Sequence, residues 1–121
     1  MSDSKALYTT NGDWAGLYYQ GNLFSQAGEW IGFVGNANQV FSVSGEYVGW
    51  LSRDFRVLRK RDTDQGLRMA PPPNPGRLTP PATVPLPPLM AEIGFDTVDV
   101  FDEMPERLHT LDFDQARQDM D

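Results

Sequence analysis

The chain has 121 residues, with 17 acidic residues against 10 basic ones, a formal charge of −7 and no cysteine. That length suits one domain, or a small domain with a tail. The missing cysteines exclude disulfides, thiol chemistry and cysteine-based zinc sites.

No apolar run is long enough to cross a bilayer. The opening Met1-Ser2-Asp3-Ser4-Lys5 lacks the basic-then-apolar order of a secretory signal. These features, with the absence of cysteine, point to a cytoplasmic protein without a membrane segment. Charge is distributed unevenly. Residues 1–52 set Lys5 against Asp3, Asp13, Glu29 and Glu46, for −3. Residues 53–77 set seven basic residues against Asp54, Asp62 and Asp64, for +4. Residues 89–121 set ten acids against Arg107 and Arg117, for −8. The basic middle and acidic end either face each other or face a partner.

One short pattern occurs three times: Tyr8-Thr9-Thr10-Asn11-Gly12-Asp13-Trp14-Ala15-Gly16, Phe24-Ser25-Gln26-Ala27-Gly28-Glu29-Trp30-Ile31-Gly32 and Phe41-Ser42-Val43-Ser44-Gly45-Glu46-Tyr47-Val48-Gly49. The shared columns are aromatic, hydroxyl, two variable positions, glycine, acid, aromatic, any residue, glycine. Each copy reads as strand, tight turn, strand. Gly12, Gly28 and Gly45 supply the positive φ that such turns need. Gly16, Gly32 and Gly49 lie inside strands, where glycine marks a bulge or a close backbone approach. Turn chemistry also separates the copies, at Gln20-Gly21-Asn22, residues 35–39 and Ser52-Arg53-Asp54. Phe55-Arg56-Val57-Leu58-Arg59 starts like a further copy and then departs. Its alternation predicts a final or edge strand.

The Gly-acid-Trp/Tyr-x-Gly motif at this spacing, followed by a basic strand and a proline-rich tail, resembles the bacterial four-fold β-flower proteins. The resemblance covers residues 7–61 and implies a petal-like array of hairpins. It implies no activity and no functional residue, because that family has no established biochemical function. A fourth petal would come from the Phe55 strand, the tail or a neighbouring subunit. The expected fold is mainly β: three to four hairpins in a flower-like or small barrel-like array, a proline-rich strap, and a short C-terminal strand or helix. The expected divisions are residues 1–62, 63–88 and 89–121.

Eleven of the fourteen aromatics fall between Tyr8 and Phe55. Small β domains need aromatic area for a core, so most should be buried. The Tyr8, Phe24, Phe41 and Trp14, Trp30, Tyr47 columns could both face one shared axis. Tyr18, Tyr19 and Trp50 fall outside these columns. With Arg56, Arg59 and Arg61 of the basic run, they form the candidate interaction surface.

Residues 71–88 contain nine of the ten prolines. Proline fixes φ and lacks an N–H, so this stretch favours polyproline II and stays out of a sheet interior. Eighteen such residues reach about 55 Å, enough to strap across a domain of this size. Pro72-Pro73-Asn74-Pro75-Gly76-Arg77 also formally matches a PxxPx-basic ligand pattern, which any proline-rich linker can produce. Beyond it, Leu89, Met90, Ile93, Val98, Val100 and Phe101 are too apolar for a solvating tail and should be mostly buried. Residues 97–101 alternate as a short strand does, and a helix is expected from Pro105.

Catalytic equipment is not visible. His109 is the only histidine and adjoins Leu108. No serine lies in a nucleophile elbow. Asp96, Asp99, Asp102 and Glu103 lack calcium-loop spacing and its glycine. The glycines belong to turns rather than to a phosphate loop, and overall charge argues against nucleic acid. The sequence therefore points to a non-catalytic binding or assembly module without cofactor or metal, meeting another protein or its own copies. The alternative is a ligand-binding or enzymatic domain with a pocket on the repeat axis.

Overall fold

The computed structural model describes residues 4–62 and 66–111. Eight strands lie in chain order in one antiparallel sheet that curls into a half-barrel. They are β1 (Lys5–Tyr8), β2 (Trp14–Tyr19), β3 (Asn22–Phe24), β4 (Trp30–Val34), β5 (Gln39–Ser42), β6 (Tyr47–Leu51), β7 (Val57–Lys60) and β8 (Thr97–Asp99). Among the described residues the complete helical elements are single turns: α1 (Val100–Glu103) and 3-10 turns at Asn36–Asn38 and Pro105–Arg107. The helix expected from Pro105 is thus one 3-10 turn, after which Leu108 returns to extended backbone.

The three motif copies close by the same bonds. The N–H groups of Thr9, Ser25 and Ser42 donate to the carbonyls of Asp13, Glu29 and Glu46, each at 2.8 Å. Gly12, Gly28 and Gly45 return bonds of 2.9 Å, with φ of 88°, 87° and 90°. The hydroxyl column accepts a further backbone bond of 3.2 Å from the acid of each copy. The turn from β6 to β7 uses the same scheme: Ser52 bonds Arg56, and Phe55 takes the glycine's place with φ of 60°.

The second glycine of each copy has a different cause. A Cβ on Gly16, Gly32 or Gly49 would lie 2.5, 2.6 or 1.9 Å from the carbonyl oxygen of Phe24, Phe41 or Leu58. Each glycine lets the next strand approach closely. A register shift lies beside each of them, between Leu7 and Tyr8, Leu23 and Phe24, and Val40 and Phe41.

Strand alternation divides the core in two. Leu7, Leu23, Val40 and Val57 are completely buried in an aliphatic cluster with Ile31, Val48, Val100 and Leu108. One residue further along, Phe24 and Phe41 join Leu17, Trp30, Phe33 and Val43 in a separate, mainly aromatic cluster. Phe24, Phe41, Trp30, Trp14 and Tyr47 of the two aromatic columns thus share one cluster, separate from the aliphatic column. Their neighbours point to the opposite side of the pleat and form the other core.

Two further expectations are corrected. β7 is an interior strand rather than an edge, because Leu58, Arg59 and Lys60 pair with Asp99, Val98 and Thr97 of β8. Of the six tail residues expected inside, Val98 and Val100 are buried, Met90, Ile93 and Phe101 are half-buried, and Leu89 is wholly exposed. Val98 and Val100 gain burial through ladder pairing and the cap over the aliphatic cluster, which residues 86–95 do not reach. Residues 112–121 lie outside the described residues.

Candidate functional site

Residues 81–93 have no hydrogen-bonded secondary structure, yet their burial is periodic. Pro81, Val84, Pro87, Met90 and Ile93 are half-buried, and every residue between them is exposed. A period of three is that of a polyproline II helix. The segment lays one edge on the domain and turns two edges outward. Leu86 and Leu89 share one outward edge and are 91 % and 100 % exposed; Phe95, just beyond, is 92 % exposed.

Hydrogen bonds hold this segment at intervals. Tyr8 Oη donates to the Pro85 carbonyl at 2.6 Å. Arg56 Nη2 donates to the Ala91 carbonyl at 2.8 Å, and the Ala91 N–H donates to Asp54 Oδ2 at 3.3 Å. Arg61 donates to Phe95 and Asp96 carbonyls at 2.9 and 2.7 Å through its Nε and backbone N–H. Beside the ridge lies a shallow groove of about 500 Å³, whose lining includes Arg53, Asp54, Pro88, Leu89, Ala91 and Ile93.

The anchor at Ala91 is part of a buried polar chain. Arg56 pairs with both oxygens of Asp54, at 3.0 Å from Nε and 2.6 Å from Nη2. Its Nη1 donates to Thr10 Oγ1 at 3.2 Å, and Thr10 donates its hydroxyl and backbone N–H to Asp99 Oδ2 at 2.7 and 2.5 Å. Asp99 Oδ1 is buried with no hydrogen-bond partner among the described residues. Burial raises the Asp54 pKa, but hydrogen bonds from Arg56, Ser52 and Ala91 outweigh it and hold the carboxyl below its ordinary value.

The residues expected to form an interaction surface are scattered. Tyr18 packs against the aliphatic cluster and Tyr19 against the aromatic one, both half-buried. Trp50 is half-buried on β6, paired with Gln39 and Leu58. Arg56 and Arg59 are not surface residues. Arg56 is consumed by Asp54 and Ala91, while Arg59 Nη1 donates to the Tyr47 and Val48 carbonyls at 3.2 and 2.9 Å. Burial, and then the nearby Arg107 charge, lower the Arg59 pKa. Arg61 alone of the three arginines is exposed, and it flanks Phe95. Sequence reasoning missed Leu86, Leu89 and Phe95 as display residues. The three-residue spacing of the two leucines among prolines was the available signal.

A second cavity, of about 330 Å³, is lined by Ser42, Glu46, Tyr47, Val48, Glu106, Arg107 and His109. His109 is nearly buried, with Nδ1 3.2 Å from the Thr110 carbonyl. Charges of both signs line this cavity, so no single ligand charge is selected. Among the described residues no group of three or more acidic or histidine side chains could hold a metal ion, and no helix is long and apolar enough to cross a membrane. The PxxPx-basic stretch is tied to the domain, because Arg77 donates to the Ala27 carbonyl at 3.0 Å. No family model, curated protein or solved structure matches the chain.

Proposed function

We propose that this chain is a non-catalytic protein-binding or assembly module, in which a hairpin-repeat domain serves as a platform for a fixed apolar ridge. The observation carrying this reading is the exposure of Leu86, Leu89 and Phe95 on a segment bonded to the domain at Pro85, Ala91 and Phe95. Large apolar side chains held outward on an ordered backbone mark an interaction site. Aliphatic packing fills the centre, where Leu7, Leu23, Val40 and Val57 are all completely buried. A packed aliphatic column favours an assembly module over a ligand-binding domain with a pocket on that axis.

The same column supports a four-fold arrangement like that of the β-flower proteins. Its members are 16, 17 and 17 positions apart, and β8 supplies the partner strand for β7. The proline-rich stretch is read as a strap: Met69, Leu78 and Pro85 meet the turn or strand at Gly45, Gly28 and Tyr8. Internal use of Arg56 and Arg59 favours a protein partner over nucleic acid, in a cytoplasmic setting. Bait proteins carrying Leu86→Asp or Leu89→Asp test the reading against wild type in lysate of the native host. A partner held by wild type and lost from both variants, with melting temperature unchanged, is the expected result. Identical captures by all three baits would overturn it.

A further inference from the structure

We infer that the ridge at Pro85-Leu86-Pro87-Pro88-Leu89 is a preformed polyproline II ligand for a protein domain with an aromatic-lined groove. This rests on the protein-binding reading and specifies the partner's chemistry.

Three observations converge on this segment. The first is the burial period of three from Pro81 to Ile93, which matches the repeat of a polyproline II helix and shows which edge faces the domain. The second is composition. Pro85-Leu86 and Pro88-Leu89 repeat one dipeptide after one turn, about 9 Å further along. All four side chains are exposed, while the intervening Pro87 rests against Gly12. Two adjacent outward edges thus present proline and leucine side by side, twice. The third is anchorage: Tyr8 Oη holds the Pro85 carbonyl, and Arg56 and Asp54 hold Ala91, on either side of the ridge.

These features match how aromatic grooves read proline-rich segments. Successive shallow pockets between aromatic rings accept the apolar side chains of a polyproline II helix, whose backbone is already extended and loses little entropy on docking. A tethered ridge reduces that loss further. A flat apolar partner would need no three-residue spacing, and a strand-adding partner would need a free ladder edge, which a segment rich in proline cannot offer. A second copy of this chain is the competing occupant.

The test titrates the full-length ¹⁵N-labelled chain with a panel of purified SH3, WW and EVH1 domains, alongside light-scattering mass measurement of the chain alone. The expected result is micromolar binding by at least one domain, with shifts centred on residues 84–90. Leu86→Asp, Leu89→Asp and the Pro85→Ala/Pro88→Ala double variant should each weaken it by about tenfold or more. No domain binding more tightly than about 1 mM would overturn the inference. So would a dimer mass that Leu89→Asp returns to monomer, which would make a second copy the occupant. A host partner that requires both leucines but binds the double proline variant equally well would keep the protein-binding reading and overturn the groove chemistry.

Discussion

Arg56 Nη2 donates to the backbone carbonyl of Ala91 at 2.8 Å, joining the β6–β7 turn to a segment 35 positions later. The same guanidinium holds Asp54 and Thr10, so one buried cation ties together a turn of the sheet, the first hairpin and the proline-rich segment. Removing one partner of a buried pair leaves the other charge uncompensated. Arg56→Met should therefore lower stability by about 3 kcal/mol, read from urea unfolding. It should also increase hydrogen exchange at the Ala91 amide. A variant with parental stability and exchange would show that this network does not anchor the segment.

Asp54 predicts an acid dependence. Its folded-state pKa lies below the ordinary value, so its contribution to stability is fully present above the unfolded pKa of about 4. It is lost as pH falls through the folded-state value. Asp54→Asn should melt at a lower temperature than the parent at neutral pH, and the gap should shrink as pH drops below about 4. A gap that is constant with pH would mean that another group dominates acid unfolding.

The strand glycines are required for space. A Cβ on Gly49 would lie 1.9 Å from the Leu58 carbonyl oxygen, an atom fixed in the β6–β7 ladder. Gly49→Ala should cost about 3 kcal/mol. Gly21→Ala has positive φ but open surroundings and should cost about 1 kcal/mol. Thermal unfolding of both variants checks the ranking, and equal losses would refute the close-approach account.

Ala37 offers the opposite case. It is exposed, with φ of 56° and ψ of 33°, in the left-handed region that a β-carbon disfavours. Ala37→Gly should stabilise the protein by about 0.5 kcal/mol, the relieved strain exceeding the added chain entropy. A lower melting temperature would show that the Asn36–Asn38 turn carries no such strain.

The sequence by itself determined the three motif hairpins. A turn is a local object: Gly12, Gly28 and Gly45 announce their positive φ, and the hydroxyl and acid columns accompany the bonds that close each loop. The turn at Phe55 was hidden, because phenylalanine gives no signal for φ of 60°. Its conformation follows from the Ser52–Arg56 bonds around it. Only the tertiary structure decided what the basic run and the tail do. Arg56 and Arg59 look like surface charges in a linear reading, yet burial follows from partners distant in sequence, at Thr10, Tyr47 and Ala91. Likewise, Val98 and Leu89 are similarly apolar letters. Pairing with Arg59 buries the first, while the second lies on an outward edge of the proline-rich segment and stays wholly exposed. Local backbone preference is written in neighbouring residues; which face of an extended segment meets water depends on what the rest of the chain brings against it.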